Sequence, residues 1–317
     1  MTARESAQYP IARFGVLLGA LLATAWLGPG LAAAQTTTTT TPGGTSTGAP
    51  QPEPPTQPTE ETEEPTNERS KPLRLRLEDV TPQKIFFKGS APASFRFELA
   101  GKTKRDIVIE VTRKGGGDVV QRWTEKNVEP GKVRTQTWGG KKRGKGDARS
   151  GSYLFRVREK GGGLADRKKA KGDRSFGYYD HVFPIRGRHS YGDGIGAPRK
   201  GHSHQGQDLF ASCGTPLEAA RAGKVQFRGF QGGGAGHYLV IDGKGTGRDY
   251  VYMHLQGKAS VGERETVRTG QRIGEVGDSG NASGCHLHFE LWSKPGWYEG
   301  GHFLNPKKKL KKWDRWS

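Results

Sequence analysis

Three short stretches carry the residue types of a metal-assisted hydrolytic site. His204-Gln205-Gly206-Gln207-Asp208 sets a histidine and an aspartate four apart, and Tyr252-Met253-His254-Leu255 supplies another histidine. Cys285-His286-Leu287-His288-Phe289-Glu290 supplies two more, with a carboxylate beyond them. All nine histidines of the chain fall after residue 180. Neutral imidazole and carboxylate suit zinc, and three such ligands leave a fourth position open to water, as a catalytic centre requires. A structural zinc would take four protein ligands, often cysteines, and the chain has only two cysteines.

Placed on a strand, residues 285 to 292 divide by parity. His286, His288 and Glu290 share one face, while Cys285, Leu287, Phe289 and Leu291 share the other. The apolar set belongs in a core, so the two histidines face a site together, where one can bind metal while the other moves protons. Glu290 on that face is either a histidine's partner or a solvated strand residue. His204 and Asp208 lie an even number apart and can converge from one extended segment or turn. His202-Ser203-His204 is a second pair of the same spacing, and spacing alone does not say which of its histidines binds. Cys285 abuts His286, which would suit a nucleophile or ligand, but parity turns it from the metal. In an exported protein Cys213 and Cys285 then read as a disulfide, worth roughly 4 kcal/mol on the chain-entropy model.

The surrounding elements read as strands. Val225 to Phe227, His237 to Asp242, Asp249 to His254 and His286 to Trp292 are the strand segments expected between 181 and 306, and no long amphipathic helix interrupts them. Gly232 to Gly236 lacks the Lys-Ser/Thr of a phosphate cradle and reads as a flexible loop beside the cleft. His237 and His302 read as ordinary polar or core residues. His181 and His189 have no expected catalytic role, and Tyr191 is a candidate groove residue. Upstream, Leu73, Leu75 and Leu77, then Phe95, Phe97 and Leu99, then Ile107, Ile109 and Val111, then Tyr153, Phe155 and Val157 alternate with polar residues. Short antiparallel strands with one buried face follow, building a β-sandwich over 72–160. Residues 161–180 read as a basic, Gly-rich connector at the domain boundary, and 307–317 as a basic tail. The fold class expected is all-β.

The three motifs, in this order and spacing, resemble the lysostaphin/LytM-type zinc metallopeptidases that cut bacterial peptidoglycan peptides. Gly214-Thr215-Pro216-Leu217-Glu218-Ala219-Ala220, Gly223-Lys224-Val225, Gly270-Gln271-Arg272-Ile273-Gly274 and Gly277-Asp278-Ser279-Gly280 match that family's framework in order, over roughly Phe183 to Pro306. The resemblance implies that His204, Asp208 and His288 hold Zn2+, and that His254 and His286 are the catalytic pair, without dividing the labour between them. It implies a metalloendopeptidase domain rich in β-sheet. His202, the cysteine pair and Asp242 in a strand depart from the family pattern outside the metal set. Thr137-Trp138-Gly139-Gly140 through Ser150-Gly151-Ser152-Tyr153-Leu154-Phe155 resembles the last hairpin of flagellar-hook-cap-type immunoglobulin-like domains, implying an immunoglobulin-like sandwich and no activity.

The N-terminus is read apart. Arg4 and Arg13, an apolar run from Phe14 to Leu31, and Ala32-Ala33-Ala34 describe a secretory signal peptide over 1–34. Gly28-Pro29-Gly30 interrupts that run, as an anchor helix would not. Residues 35–71 are rich in Thr, Pro and Glu and read as a disordered tether. The formal net charge is +19, and seven of the 32 acidic residues but only three of the 51 basic ones precede residue 71. So basic a chain expects anionic partners. Secretion points to peptidoglycan and anionic cell-wall polymers, and the absence of a nucleic-acid motif points away from nucleic acid. A monomer, extracellular and wall-associated, with no stable membrane insertion after cleavage, is the expectation. The alternative function is a non-enzymatic wall-binding regulator or activator of another hydrolase, against which all five site residues are present.

Overall fold

Alternation of apolar and charged side chains builds the first half of the computed structural model, which describes residues 71–317 apart from 145 and 200. The expected leader, 1–34, and the linker, 35–71 save its last residue, lie outside the described residues. Two sheets share one apolar core. A three-stranded sheet orders Arg74–Thr81, Ala93–Ala100 and Val133–Trp138. A five-stranded sheet orders Lys84–Phe86, Ser175–Tyr179, Gly151–Glu159, Arg105–Arg113 and Val119–Val128. The pleat sends Phe95, Phe97, Ile107, Ile109, Tyr153 and Phe155 inward together. Phe95 and Phe155 stack across the sheets at 4.6 Å.

The alternation breaks once. A bulge between Leu75 and Leu77 shifts the register, leaving Leu77 half-buried and turning Glu78 inward. Arg167 and Arg174 meet that buried carboxylate. Residues 161–180 are therefore not a connector between domains. The backbone amides of Leu75, Glu78 and Val80 donate to the carbonyls of Asp166, Lys171 and Asp173, and Ser175–Tyr179 is a strand inside the five-stranded sheet. Buried Ala165, Phe176 and Tyr178 outweigh the glycines around them. The strands expected to pair as a hairpin, Val133–Trp138 and Gly151–Glu159, lie in different sheets.

The second half is a twisted sheet ordered Thr266–Val267, Gly223–Gln231, Gly236–Gly243, Arg248–Leu255, His286–Ser293, Gln207–Phe210 and Ser190–Tyr191, with Phe303–Leu304 also pairing His286–Ser293. Leu209, Leu239, Ile241, Tyr252, Leu287, Phe289 and Leu291 fill the core beneath it. Asp242 ion-pairs with Lys294 at 2.9 Å. Among the described residues, no helix is long and apolar enough to cross a membrane.

Residues 307–317 form a helix, Lys307–Asp314, rather than a tail. Leu310 and Trp313, three apart on one face, are buried in the second core. Trp313 stacks on His181 at 4.4 Å, and Trp316 stacks on Tyr179 at 4.6 Å. Thr269 Oγ1 donates to Phe87 O at 2.5 Å, and the Arg221 guanidinium lies 3.4 Å from the Phe87 ring centroid. These contacts join the two cores, and the described residues belong to one compact unit. Trp313→Ala should therefore cost about 3–5 kcal/mol, read as a lowered urea midpoint of the whole unit. An unchanged midpoint would mean the helix is an appendage.

Candidate metal centre

Strand register assembles the centre from distant parts of the chain. Gln207–Phe210 pairs antiparallel with His286–Ser293, setting Asp208 opposite His288 and Phe210 opposite His286. Directly opposed residues share a face, so Asp208, His286 and His288 emerge together. On the other side Arg248–Leu255 sets Met253 opposite His288 and brings His254 to the strand end. His204 enters from the turn before Asp208. The apolar alternates Leu209, Leu287 and Phe289 go into the core, which fixes the facing of the polar set.

Three ligand atoms converge. His204 Nε2 and His288 Nδ1 lie 2.8 Å apart, and each is 2.9 Å from Asp208 Oδ1. All three residues are buried. His204 Nδ1 is 2.8 Å from Gly194 O, and His288 Nε2 is 2.9 Å from Glu290 Oε1. With those outer N–H groups donated, both imidazoles can turn a lone pair inward once a cation replaces the ring proton shared with the Asp208 carboxylate. Such a set is satisfied by a cation, and two imidazoles with one carboxylate fit a zinc-type ion.

The electrostatics agree. Burial works against charge at Asp208, yet hydrogen bonds and charges from His204 and His288 hold its carboxyl well below the usual carboxylate range. Burial also opposes the His288 imidazolium, but Asp208 and Glu290 prevail and push it up to about 9. The pocket favours positive charge. Asp208 Oδ2 accepts a bond from Arg199 at 2.9 Å, and Arg199 also pairs with Asp193 at 3.0 Å.

His254 and His286 stand beside this set. Their ring centroids are 4.7 Å apart, and His254 lies 6.1 Å from His288. His254 Nδ1 is 2.9 Å from Ser279 O, and His286 Nδ1 is 2.8 Å from Gly284 O. Donation of both Nδ1–H groups leaves each Nε2 with a lone pair. Burial pushes the His254 imidazolium down to about 4, so this ring is neutral at neutral pH. His254 also has φ 62°, a left-handed backbone unusual for a residue with a side chain.

The remaining candidate residues are placed as follows. His202 is exposed on the small hairpin formed by Pro198–Arg199 and His202–Ser203, outside the converging set. Cys213 and Cys285 are bonded to each other. Glu290 is buried. Tyr191 packs on the second core and directs its hydroxyl to Asp314, not into a groove. His181 bonds Tyr250, and His189 stacks on Phe183.

The Gly232–Gly236 stretch is not a loose loop. The Asn281 amide donates to Gly234 O at 2.9 Å, and a Cβ on Gly236 would lie 2.2 Å from Ser279 O. Ser279 Oγ donates to Leu255 O at 2.6 Å and accepts from the His237 amide at 2.9 Å. Arg199 and Gly194 are supporting residues that the motifs did not single out, and Ser279, inside the Gly277–Gly280 framework motif, carried no expected role. Their only trace is the glycine and polar content near each histidine. Gly206 has a steric reason: a Cβ there would lie 2.6 Å from Phe289 O and 2.7 Å from His288 Nε2.

Residues 202–306 match the model of peptidase family M23. The chain is similar to an uncharacterized metalloprotease of Haemophilus influenzae, 39% identical over 105 residues, covering 32% of this chain and 20% of that protein. It is similar to the peptidoglycan DD-endopeptidase ShyC of Vibrio cholerae, 38% identical over 92 residues, 28% of this chain and 20% of that one. A solved structure, the catalytic domain of the antimicrobial peptidase lysostaphin from Staphylococcus simulans, matches at 30% identity and TM-score 0.36 over 39% of this chain and 92% of that one. The chain thus spans about a fifth of the length of the curated relatives it matches.

Gly206→Ala tests whether the close approach beneath the histidines is tight. Overpacking there should cost about 1–3 kcal/mol, measured as a lower unfolding midpoint. A variant as stable as the parent would mean that the strands relax around the methyl group.

Proposed function

We propose that this chain, which carries a peptidase family M23 domain over residues 202–306, is a secreted zinc-dependent endopeptidase that hydrolyses peptide bonds in peptidoglycan stems or cross-links. One observation carries the reading: His204, Asp208 and His288 turn three lone-pair atoms onto one point, with His254 and His286 alongside. Zinc held by those three would supply a Lewis acid that brings a water's pKa toward ~7 and polarises the scissile carbonyl.

The rest of the chemistry belongs to the chain's own residues. His254, kept neutral by burial, begins with Nε2 ready to accept a proton. His286 is tethered in the same way through Nδ1. Between them the two rings take the proton from the attacking water, donate to the developing oxyanion and return a proton to the leaving amine. Their backbone carbonyl partners hold both rings in place, which lowers the orientational cost of the reaction. The peptidoglycan substrate is supported by the named activity of the Vibrio relative. Secretion is supported by the leader-like start of the sequence and by a disulfide, which persists in oxidising compartments.

An anionic wall polymer is the partner proposed for the C-terminal helix. Lys307, Lys308, Lys311 and Lys312 face solvent, while Leu310 and Trp313 are committed to the core. With its apolar face occupied, the helix offers charge and no insertion surface, which favours a polyanion over lipid.

Chelator should abolish release of peptide fragments from purified wall, and His204→Ala should lose both bound zinc and activity. His254→Ala and His286→Ala should keep zinc and lose activity ~10²–10⁴-fold, with the fragments identified by mass spectrometry. Metal-loaded protein that leaves every wall peptide intact would sink the reading. Separately, Lys307→Glu with Lys308→Glu should weaken co-sedimentation with wall at low salt, with the difference fading at high salt. Acids in a helix's first turn suit its dipole, so stability should hold. Unchanged sedimentation would rule this surface out.

A further inference from the structure

Resting on the reading that His204, Asp208 and His288 hold a metal ion, we propose that Glu290 is a positioning residue that fixes the His288 tautomer, and that Trp292 and Trp297 lock it in that role. An imidazole can direct Nδ1 at a metal only if Nε2 carries the hydrogen, and a buried Nε2–H needs an acceptor. At His288 that acceptor is Glu290 Oε1, 2.9 Å away. His204, His254 and His286 instead turn their outer nitrogens to backbone carbonyls, of Gly194, Ser279 and Gly284. His288 alone of the four uses an acid.

That acid is expensive to bury, being only 3% exposed. Among the described residues its only ion-pair partner is His288. Its other oxygen, Oε2, accepts from the indole Nε1 of Trp292 at 2.6 Å and of Trp297 at 3.3 Å. Two N–H donors thus stand where water would otherwise stabilise the charge, and they fix which oxygen faces His288. Gly206 closes the other side, since a Cβ there would meet His288 Nε2 at 2.7 Å and Glu290 Cγ at 3.0 Å.

The same device reaches the rim of the site. Tyr298, next to Trp297, packs its ring 4.8 Å from Trp297 and 5.1 Å from Trp292. Its hydroxyl donates to Gln205 Oε1 at 3.3 Å, in the segment between His204 and Asp208. Residues 297 and 298 therefore bridge the two segments that supply the ligands, one through Glu290 and the other through Gln205. Glu290 itself sits behind the His288 ring and acts through it.

Glu290→Gln isolates the effect. The two indole donors hold the amide oxygen, so the amide NH2 faces His288 Nε2. That arrangement makes Nε2 an acceptor and moves the ring hydrogen to Nδ1, blocking the inward lone pair. In the full-length protein, zinc affinity by chelator competition should fall about 10–100-fold. Nitrogen-15 NMR of the metal-free protein at alkaline pH, where the His288 ring is neutral, should show its tautomer switched, with the unfolding midpoint of that protein still near the parent's. Trp297→Phe, which keeps a ring but removes one donor, should give a smaller loss in the same direction. Zinc affinity within twofold of the parent, or an unswitched His288 tautomer in folded Glu290→Gln, would overturn the proposal. Should Glu290→Gln not fold, undiminished affinity in Trp297→Phe would overturn it instead. Failure of the underlying reading is distinct: His204→Ala would then bind zinc as tightly as the parent.

Discussion

Everything in the second half depends on the convergence of three ligand atoms held by strand register. Two imidazole nitrogens and a carboxylate oxygen point at one another across 2.8–2.9 Å in a buried pocket. Without a metal ion a ring proton bridges these atoms, as the lowered Asp208 and raised His288 show, and a softer structure would let the rings turn away. The register holds them. Asp208 and His288 are cross-strand partners, and neither can move without slipping a strand whose alternate residues fill the core. The Cys213–Cys285 bond closes the same end of that pair, since Cys213 follows Gln207–Phe210 and Cys285 precedes His286–Ser293. Its position suggests a staple on the two ligand-bearing strands as much as a constraint on the unfolded chain.

A second constraint is the accounting of ring hydrogens. Each of the four site histidines has one nitrogen occupied by an outward partner, so each has one defined inward nitrogen. Carbonyl partners set a tautomer at little electrostatic cost. The carboxylate at His288 adds a negative charge near the ion, while Arg199 at Asp208 adds a positive one. The two outer residues thus act in opposite senses on the pocket's charge, and the pocket still favours a cation.

Legibility in the sequence followed the physics of each signal. Strand parity was readable at 286–290 because one face is wholly apolar, and the structure puts Leu287 and Phe289 in the core. The same rule failed after Leu75, where a bulge that leaves no mark in the apolar pattern turned Glu78 inward. His202 and His204 were equivalent by spacing. They differ because the short hairpin carries His202 outward while the turn beyond it buries His204. Glycine and charge content disguised residues 161–180, where a few apolar residues and backbone hydrogen bonds to Arg74–Thr81 decide the outcome. Two apolar residues among lysines were too few to announce the C-terminal helix. Its stability comes from what Trp313 and Trp316 touch, which lies far away in the sequence.

His254 is where local preference and global fold disagree. Its left-handed backbone costs on the order of 1 kcal/mol or more, and burial makes its charged form unfavourable. The surroundings are built to sustain this. A Cβ on Gly236 would lie 2.2 Å from the Ser279 carbonyl oxygen that the ring contacts, and one on Gly280 would lie 2.3 Å from Gly236 N, so both positions need glycine for this packing. Ser279 Oγ then ties the same segment to Leu255, the next residue along. A histidine supported only by its own strand would relax to ordinary geometry and swing from the metal set. The strain is retained because Gly236 lies against the Ser279 carbonyl and the Ser279 hydroxyl ties its segment to Leu255, and the result is a ring whose free nitrogen is aimed before any substrate arrives.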